Sequence, residues 1–201
     1  METIELVFTW GVPLLVIYFL YRSKGEVVNI NNIFKQLALE NHGVVKRRTW
    51  FDYPTLTIHE QGFTFHLGSS LAPGGNVWVT RLNMAHRQTV DFTLRIQPHS
   101  RLEKMATAIG FQDAAIGTPE FNNSYLVKTD NETKSRHFIN EGLQQALLQI
   151  KHLQPELSIN KTSIVLTTSF QNNAENFQTL VDFGKLLCTR LQNISGESNS
   201  Y

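Results

Sequence analysis

Alternating polar and apolar residues mark the clearest element of the chain, a β-hairpin over residues 55–67. Every second side chain is apolar on each side of Gln61-Gly62. Strict alternation is typical of a strand with one buried and one solvated face, and a two-residue connection containing Gly is typical of a tight hairpin turn. The register that follows puts two cross-strand pairs on the polar face: His59 with Thr64 and Thr57 with His66.

Further alternating segments over residues 77–83 and 90–97 predict an antiparallel meander of four strands in all. The apolar spacing then becomes helical over residues 100–110, over residues 131–150 and in a final helix that Asn172 caps. A short strand from Tyr125 and a second hairpin around Asn160-Lys161 lie between these helices. The sequence therefore predicts an α+β fold, a meander followed by a β-α-β-β-α half.

The longest apolar run covers residues 6–21 and carries no charge. As a helix it would be about 24 Å long, somewhat less than the roughly 30 Å of a bilayer core, and Ile4 extends it. Three alternatives are weaker. A cleaved signal peptide would need a basic segment before the run, and a lipoprotein would need a cysteine after it; both are missing. A buried core helix would show an amphipathic stripe, whereas this run is apolar nearly all round. The run predicts one transmembrane helix over residues 4–21, with five anchor residues: Leu6, Trp10, Leu14, Tyr18 and Tyr21.

This helix defines the predicted organisation: an anchor over residues 1–25, a juxtamembrane helix and linker over 26–43, an α+β domain over 44–194 and a polar tail over 195–201. Arg22 and Lys24 follow the apolar run and no basic residue precedes it, so the positive-inside rule places the N-terminus outside and the domain in the cytoplasm. A single cysteine, Cys188, agrees with a reducing compartment. Glu26 to Asn32 is predicted to be a polar connector.

Three consecutive basic residues, Lys46, Arg47 and Arg48, are candidates for contact with lipid headgroups. A solvated run of charge in a strand or loop is the alternative, because three charges make a weak polybasic cluster. The net charge of +1 argues against a nucleic-acid-binding protein.

Metal binding has only weak candidates, His59 and His66, which project from the same face of the predicted hairpin. A zinc site needs at least one further ligand, for which His86 or Asp91 are the available side chains. The sequence contains no nucleophile elbow, phosphate loop, His-Glu-x-x-His or Cys-x-x-Cys motif. We therefore assign no catalytic residue and no cofactor, and we expect Cys188 to be a buried, unreactive thiol.

The segment over residues 116–122 resembles a sequence motif. Its residues are Ile116, Gly117, Thr118, Pro119, Glu120, Phe121 and Asn122. With the aromatic residue and the valine that follow, it resembles a group of membrane-anchored bacterial proteins of unknown function, in which Asp is usual where Thr118 and Asn122 stand here. The resemblance covers about two-thirds of the chain, roughly residues 61–191, and implies a single-pass protein of the bacterial inner membrane without naming an activity. Thr and Asn can still bond the local backbone, which favours a structural role for both positions.

Two functions fit these features. The favoured one is a non-enzymatic module at the cytoplasmic face that binds a protein partner, and the alternative is a membrane-associated hydrolase or metal-dependent enzyme that uses His59 and His66. An exposed apolar patch would favour the first, and a pocket that joins the two histidines to an acid would favour the second. The sequence predicts neither the partner nor the oligomeric state.

Overall fold

The computed structural model describes residues 12–47, 49, 52–72, 74–86, 90–100 and 112–198. Five α-helices lie in these ranges: α1 (Val12–Glu40), α2 (Pro119–Ser124), α3 (Glu132–Phe138), α4 (Glu141–Gln149) and α5 (Ala174–Ser198). The strands are β1 (Val44–Lys46), β2 (Thr55–Glu60), β3 (Phe63–Leu71), β4 (Trp78–Ala85), β5 (Leu94–Pro98), β6 (Gln112–Asp113), β7 (Tyr125–Thr129), β8 (Glu156–Ile159) and β9 (Ser163–Ser169). A short 3₁₀ helix, Lys151–Leu153, links α4 to β8.

All nine strands form one antiparallel sheet in the order β1-β2-β3-β4-β9-β8-β5-β7-β6. One row of paired residues crosses eight of them and is apolar throughout: Val45, Leu56, Leu67, Leu82, Leu166, Leu157, Ile96 and Val127. Because side chains alternate along a strand, the next row points to the opposite side of the sheet. The apolar row defines the inner face, and we call the opposite side the outer face.

The described helices bury their apolar residues in a single core on the inner face. Phe34 of α1 meets Phe177 of α5 edge to face, with ring centroids 4.7 Å apart. Gly184 of α5 lets that helix approach the sheet, because an added Cβ would lie 2.9 Å from side-chain atoms of Phe65 and Leu82. The remaining helices contribute fully buried side chains to the same core: Phe121, Phe138, Leu143 and Leu147.

The α+β class is confirmed, but the predicted transmembrane helix is wrong. In the described part of the chain, no helix combines the length and the apolar composition needed to cross a bilayer. Residues 12–21 begin the 29-residue helix α1, and Arg22, Lys24 and Glu26 follow them inside it. The predicted anchor residues Leu6 and Trp10 lie outside the described residues.

The predicted connector between the apolar run and the domain is also wrong, because residues 26–32 belong to α1. Val27, Ile30 and Phe34 are buried, at a spacing that keeps them on one side of the helix. The second half of α1 is therefore a core helix of the domain.

Two elements of the structure differ from the prediction, one in its neighbouring strands and one in its length. A four-stranded meander exists, but it consists of β1 to β4; the predicted fourth strand is β5, which pairs with β7 and β8. The predicted helix over residues 131–150 is two helices, because the Asn140 side chain accepts a hydrogen bond from the backbone of Leu143 and starts α4. The helix predicted over residues 100–110 falls almost wholly outside the described residues.

Candidate functional site

The outer face carries a row of mainly polar residues that follows the strand register. From β1 to β7 the row consists of Val44, Thr57, His66, Asn83, Val165, Ser158, Arg95 and Lys128. All except Thr57 are exposed or half-buried. The sheet therefore has helices on one side and a largely accessible polar surface on the other, the arrangement that the alternation in residues 55–67 predicts.

A broad open groove of about 1080 Å³ lies on this face at the β1–β3 end of the sheet. We call it the hydroxyl groove, because five of its twelve lining residues are Thr or Ser: Thr55, Thr57, Thr64, Ser69 and Ser70. The others are Val45, Lys46, Arg47, Asp52, Tyr53, His59 and His66. Two of the three predicted headgroup contacts, Lys46 and Arg47, are thus placed at this groove, and Arg48 lies outside the described residues.

Two threonine–histidine pairs are among the residues that line the groove. Thr57 Oγ1 lies 2.9 Å from Nδ1 of His66, and Thr64 Oγ1 lies 2.8 Å from Nδ1 of His59. The pairing of these four residues is the one that the hairpin pattern predicts, and it is confirmed. Each threonine holds its histidine through Nδ1, so Nε2 of each exposed imidazole is left to contact a ligand.

The histidines do not join the side chains proposed as further metal ligands. Nε2 of His86 lies 3.3 Å from the carbonyl oxygen of Asn160, and Asp91 accepts a hydrogen bond from Lys134. Asp52 lines the groove, but its carboxylate accepts hydrogen bonds from the backbone and hydroxyl of Thr49. Within the described ranges no three His, Cys, Asp or Glu side chains come together as a metal site. Metal binding at His59 and His66 stays a prediction.

Two arginines on the outer face differ in their surroundings. Arg95 on β5 donates a hydrogen bond to Glu156 on β8 at 2.5 Å, a charge-assisted contact between half-buried side chains. Arg81 on β4 is also half-buried, and its Nε is enclosed, yet no hydrogen bond or ion pair satisfies its side chain among the residues described. Arg81 lies opposite Gly68, the residue beside Thr55 of the groove.

The motif segment forms a compact turn around Gln144 of α4. The amide oxygen of Gln144 accepts a hydrogen bond from the backbone of Thr118 at 2.8 Å, and its amide nitrogen donates to the carbonyl of Ile139 at 3.1 Å. Gly117 has a φ of +108°, and an added Cβ would lie 2.6 Å from the same amide oxygen. Glycine is required here by both the backbone conformation and the space.

The two positions that depart from the motif also bond within the turn. Thr118 caps α2 by accepting a hydrogen bond from the backbone of Phe121, and Asn122 donates to the carbonyl of Gly117. Ile116 and Phe121 are fully buried, while Pro119 and Glu120 are exposed. The sequence-based expectation that Thr and Asn serve the local backbone agrees with these contacts. A helix start was readable here, since Thr-Pro-Glu combines an N-cap, a proline at N1 and an acid in the first turn.

Residue Cys188 on α5 is completely buried, and burial, followed by the nearby charge of Glu60, raises the pKa of its thiol to about 12. The thiolate is the reactive form of cysteine, so this side chain is a poor nucleophile at neutral pH. The prediction of a buried thiol is confirmed.

An exposed apolar patch lies at the turn between β3 and β4, a feature that the alternation analysis missed. Val77 is 63% exposed, Leu71 47% and Trp78 43%. The ring of Tyr53, a residue of the hydroxyl groove, packs edge to face on Trp78 with centroids 4.6 Å apart. The signal was present in the sequence, because apolar Leu71 and Val77 flank a Gly-rich turn where solvent-exposed residues are expected.

Comparison with known proteins identifies a similar fold. No protein-family model matches the sequence, and no curated protein does. Among solved structures, the chain is similar to the crystal structure of the mycobacterial trehalose monomycolate transport factor A, with a TM-score of 0.59 and 8% sequence identity. The match covers 81% of this chain and 94% of the chain in that crystal structure. At this identity the likeness concerns the fold.

Proposed function

We propose that this protein is a non-enzymatic binding module that acts beside a membrane-associated transport assembly, with the hydroxyl groove as its contact surface. The observation that carries the proposal is the one-sided sheet: helices cover the inner face, and the outer face is left accessible with unused hydrogen-bonding groups. The exposed apolar patch beside the groove also favours a binding role, since contiguous exposed apolar side chains mark interaction sites.

The transport setting is supported by the fold shared with the mycobacterial transport factor. Fold likeness is an analogy, and the site must supply the function. The site here consists of hydroxyls, imidazoles and cations on a rigid sheet, a combination suited to holding a polar partner. The cytoplasmic side of a bacterial cell membrane, and the relation to membrane-anchored bacterial proteins of unknown function, stay predictions about where the module works.

The test is affinity capture of the full chain, after chemical crosslinking in the cells that produce it. A tryptophan at Thr64 would fill the hydroxyl groove, whereas a tryptophan at the exposed Glu132 on α3 adds the same bulk elsewhere. We expect a stoichiometric membrane transport component with wild type and Glu132→Trp, and its loss with Thr64→Trp. Equal recovery with all three proteins would contradict the proposal.

The metal-dependent alternative has its own test. Purified full-length protein is titrated with zinc and compared with the double variant His59→Ala/His66→Ala. Our proposal expects no stoichiometric zinc in wild type. One equivalent of tightly held zinc that is lost in the double variant would favour the enzyme.

A further inference from the structure

We infer that the outer face of β1–β4 binds a phosphate group, carried by a lipid headgroup or by a soluble phosphate ester. This inference rests on the proposed function and names the ligand chemistry of the hydroxyl groove. It starts from Arg81, a half-buried residue whose enclosed Nε has no acceptor and whose side chain has no acidic partner within the described ranges. A guanidinium offers five N–H donors in a planar fork that matches phosphate oxygens.

Arg95 shows how an arginine on this face is paired within the protein. On the same face, Arg95 has the carboxylate of Glu156 at 2.5 Å. The enclosed Nε–H of Arg81 is a donor without an acceptor, which costs some free energy because its bond to water is lost and not replaced. An anionic ligand would supply the compensation for Arg81 that Glu156 supplies for Arg95.

The strands that line the hydroxyl groove, β1 to β3, lie between Arg81 on β4 and the edge of the sheet. The paired residues from β1 to β4 are Lys46, Thr55, Gly68 and Arg81. Lys46 and Arg81 are three strands apart, about 14 Å by ordinary strand spacing. Between them, Thr55 Oγ1 lies 3.2 Å from where a Cβ of Gly68 would be, so a hydroxyl stands between the two cations.

The balance of charge and donors favours an anion. Lys46 and Arg47 line the groove, and Asp52 is its only acidic residue among those described. With Arg81 on the neighbouring strand, this part of the outer face carries three cations and one described carboxylate, which Thr49 already engages. When the threonine hydroxyl donates to Nδ1, Nε2 of each imidazole carries a hydrogen and faces outward as a donor. Cations, hydroxyls and imidazole N–H groups together suit phosphate oxygens.

The experiment measures binding of the full chain to three probes: inorganic phosphate, glycerol phosphate, and phosphatidylcholine vesicles with or without phosphatidylglycerol. The key variant is Arg81→Gln, supported by Lys46→Gln/Arg47→Gln at solvent-accessible positions. Arg136→Gln on α3 is the matched control, since it removes the same charge from an exposed ion pair with Glu132. Thermal unfolding of each variant verifies that it is folded.

We expect Arg81→Gln to weaken binding about tenfold or more, the effect of a lost charge-assisted hydrogen bond, and Arg136→Gln to change it less than about twofold. Binding of the soluble phosphates identifies a soluble ester, and binding confined to phosphatidylglycerol vesicles identifies a lipid headgroup. Absence of binding to all probes, or equal weakening by Arg81→Gln and Arg136→Gln, would overturn the inference.

The capture experiment and the phosphate-binding experiment test the proposed function and this inference separately. A groove-dependent partner without phosphate binding would leave the proposed function standing and end this inference. Phosphate binding that Arg81→Gln weakens, without a captured partner, would support the inference and contradict the transport role.

Discussion

The motif turn and the hydroxyl groove use similar polar side chains in opposite ways. In the turn, the side chains of Thr118, Asn122 and Gln144 all bond within the domain. In the groove, His59 and His66 use one ring nitrogen for a threonine and leave the other outward. Polar groups whose bonds are made internally stabilise the fold, whereas groups with unused capacity at an accessible face are available for a partner.

The largest effect is expected in the motif turn. Replacing the fully buried Phe121 with Ala removes an aromatic side chain from the core and should lower the free energy of unfolding by about 3–5 kcal/mol. Urea denaturation measures the change, and labelling of Cys188 by a thiol reagent gives a second readout because the buried thiol reacts only when the domain opens. A loss below about 1 kcal/mol would contradict a structural role for this turn.

A second test concerns the backbone of the same turn. Gly117→Ala should cost about 2–4 kcal/mol, from the left-handed conformation and the displaced Gln144 amide together. Gly74→Ala is the matched control: Gly74 has a φ of +99° but nothing within 4 Å of an added Cβ. It should cost only the conformational term, about 1–2 kcal/mol. Equal losses of stability in the two variants would contradict the claim that Gln144 requires glycine at position 117.

Substitution of Arg95 and of Arg81 compares a paired and an unpaired arginine on the outer face. Arg95→Met leaves Glu156 without its charge-assisted partner and should lower the free energy of unfolding by about 1.5–3 kcal/mol. Arg81→Met breaks no bond among the described residues, so its effect should stay below about 0.5 kcal/mol. Thermal and urea unfolding of both variants gives the comparison. A large loss with Arg81→Met would place Arg81 among the structural residues.

The smallest effect is expected at the ion pair of Asp91 and Lys134. The hydrogen bond from Lys134 lowers the pKa of the Asp91 carboxyl below its ordinary value. The contribution of a carboxyl with a lowered pKa is present above the unfolded value and is lost as pH falls through the folded value. The stability difference between wild type and Asp91→Asn should therefore be constant near neutral pH, shrink as the pH falls through the ordinary range of an aspartate, and vanish once the pH lies below the lowered folded pKa. Unfolding curves across this range measure it, and a difference that grows on acidification would contradict the assignment.

Local patterns were sufficient for part of this structure. The hairpin of β2 and β3 was predictable because alternation and Gln61-Gly62 act within a few residues, and the hairpin around Asn160 followed in the same way. The insertion of β8 and β9 between β4 and β5 was not, because pairing of distant strands leaves no local mark. The break at Asn140 was readable as an N-cap, but the apolar spacing on both sides continued through it.

The site was predictable only in part for the same reason. The threonine–histidine pairs follow from one hairpin. The unpaired state of Arg81 was not predictable, because it depends on which residues of β3 and β9 lie beside Arg81. It also depends on Glu156 pairing with Arg95 and not with Arg81. The transmembrane prediction treated residues 4–21 separately from the helix that follows, whereas α1 extends through charged residues into the core.

The most direct test of the account places a photo-crosslinking amino acid at Thr64 in the hydroxyl groove or at the exposed Glu120 in the motif turn, in the full chain and in cells. The account predicts a crosslink of defined mass from Thr64 and none from Glu120. A crosslink from Glu120 with none from Thr64 would show that the motif turn is the contact surface and would contradict the central claim.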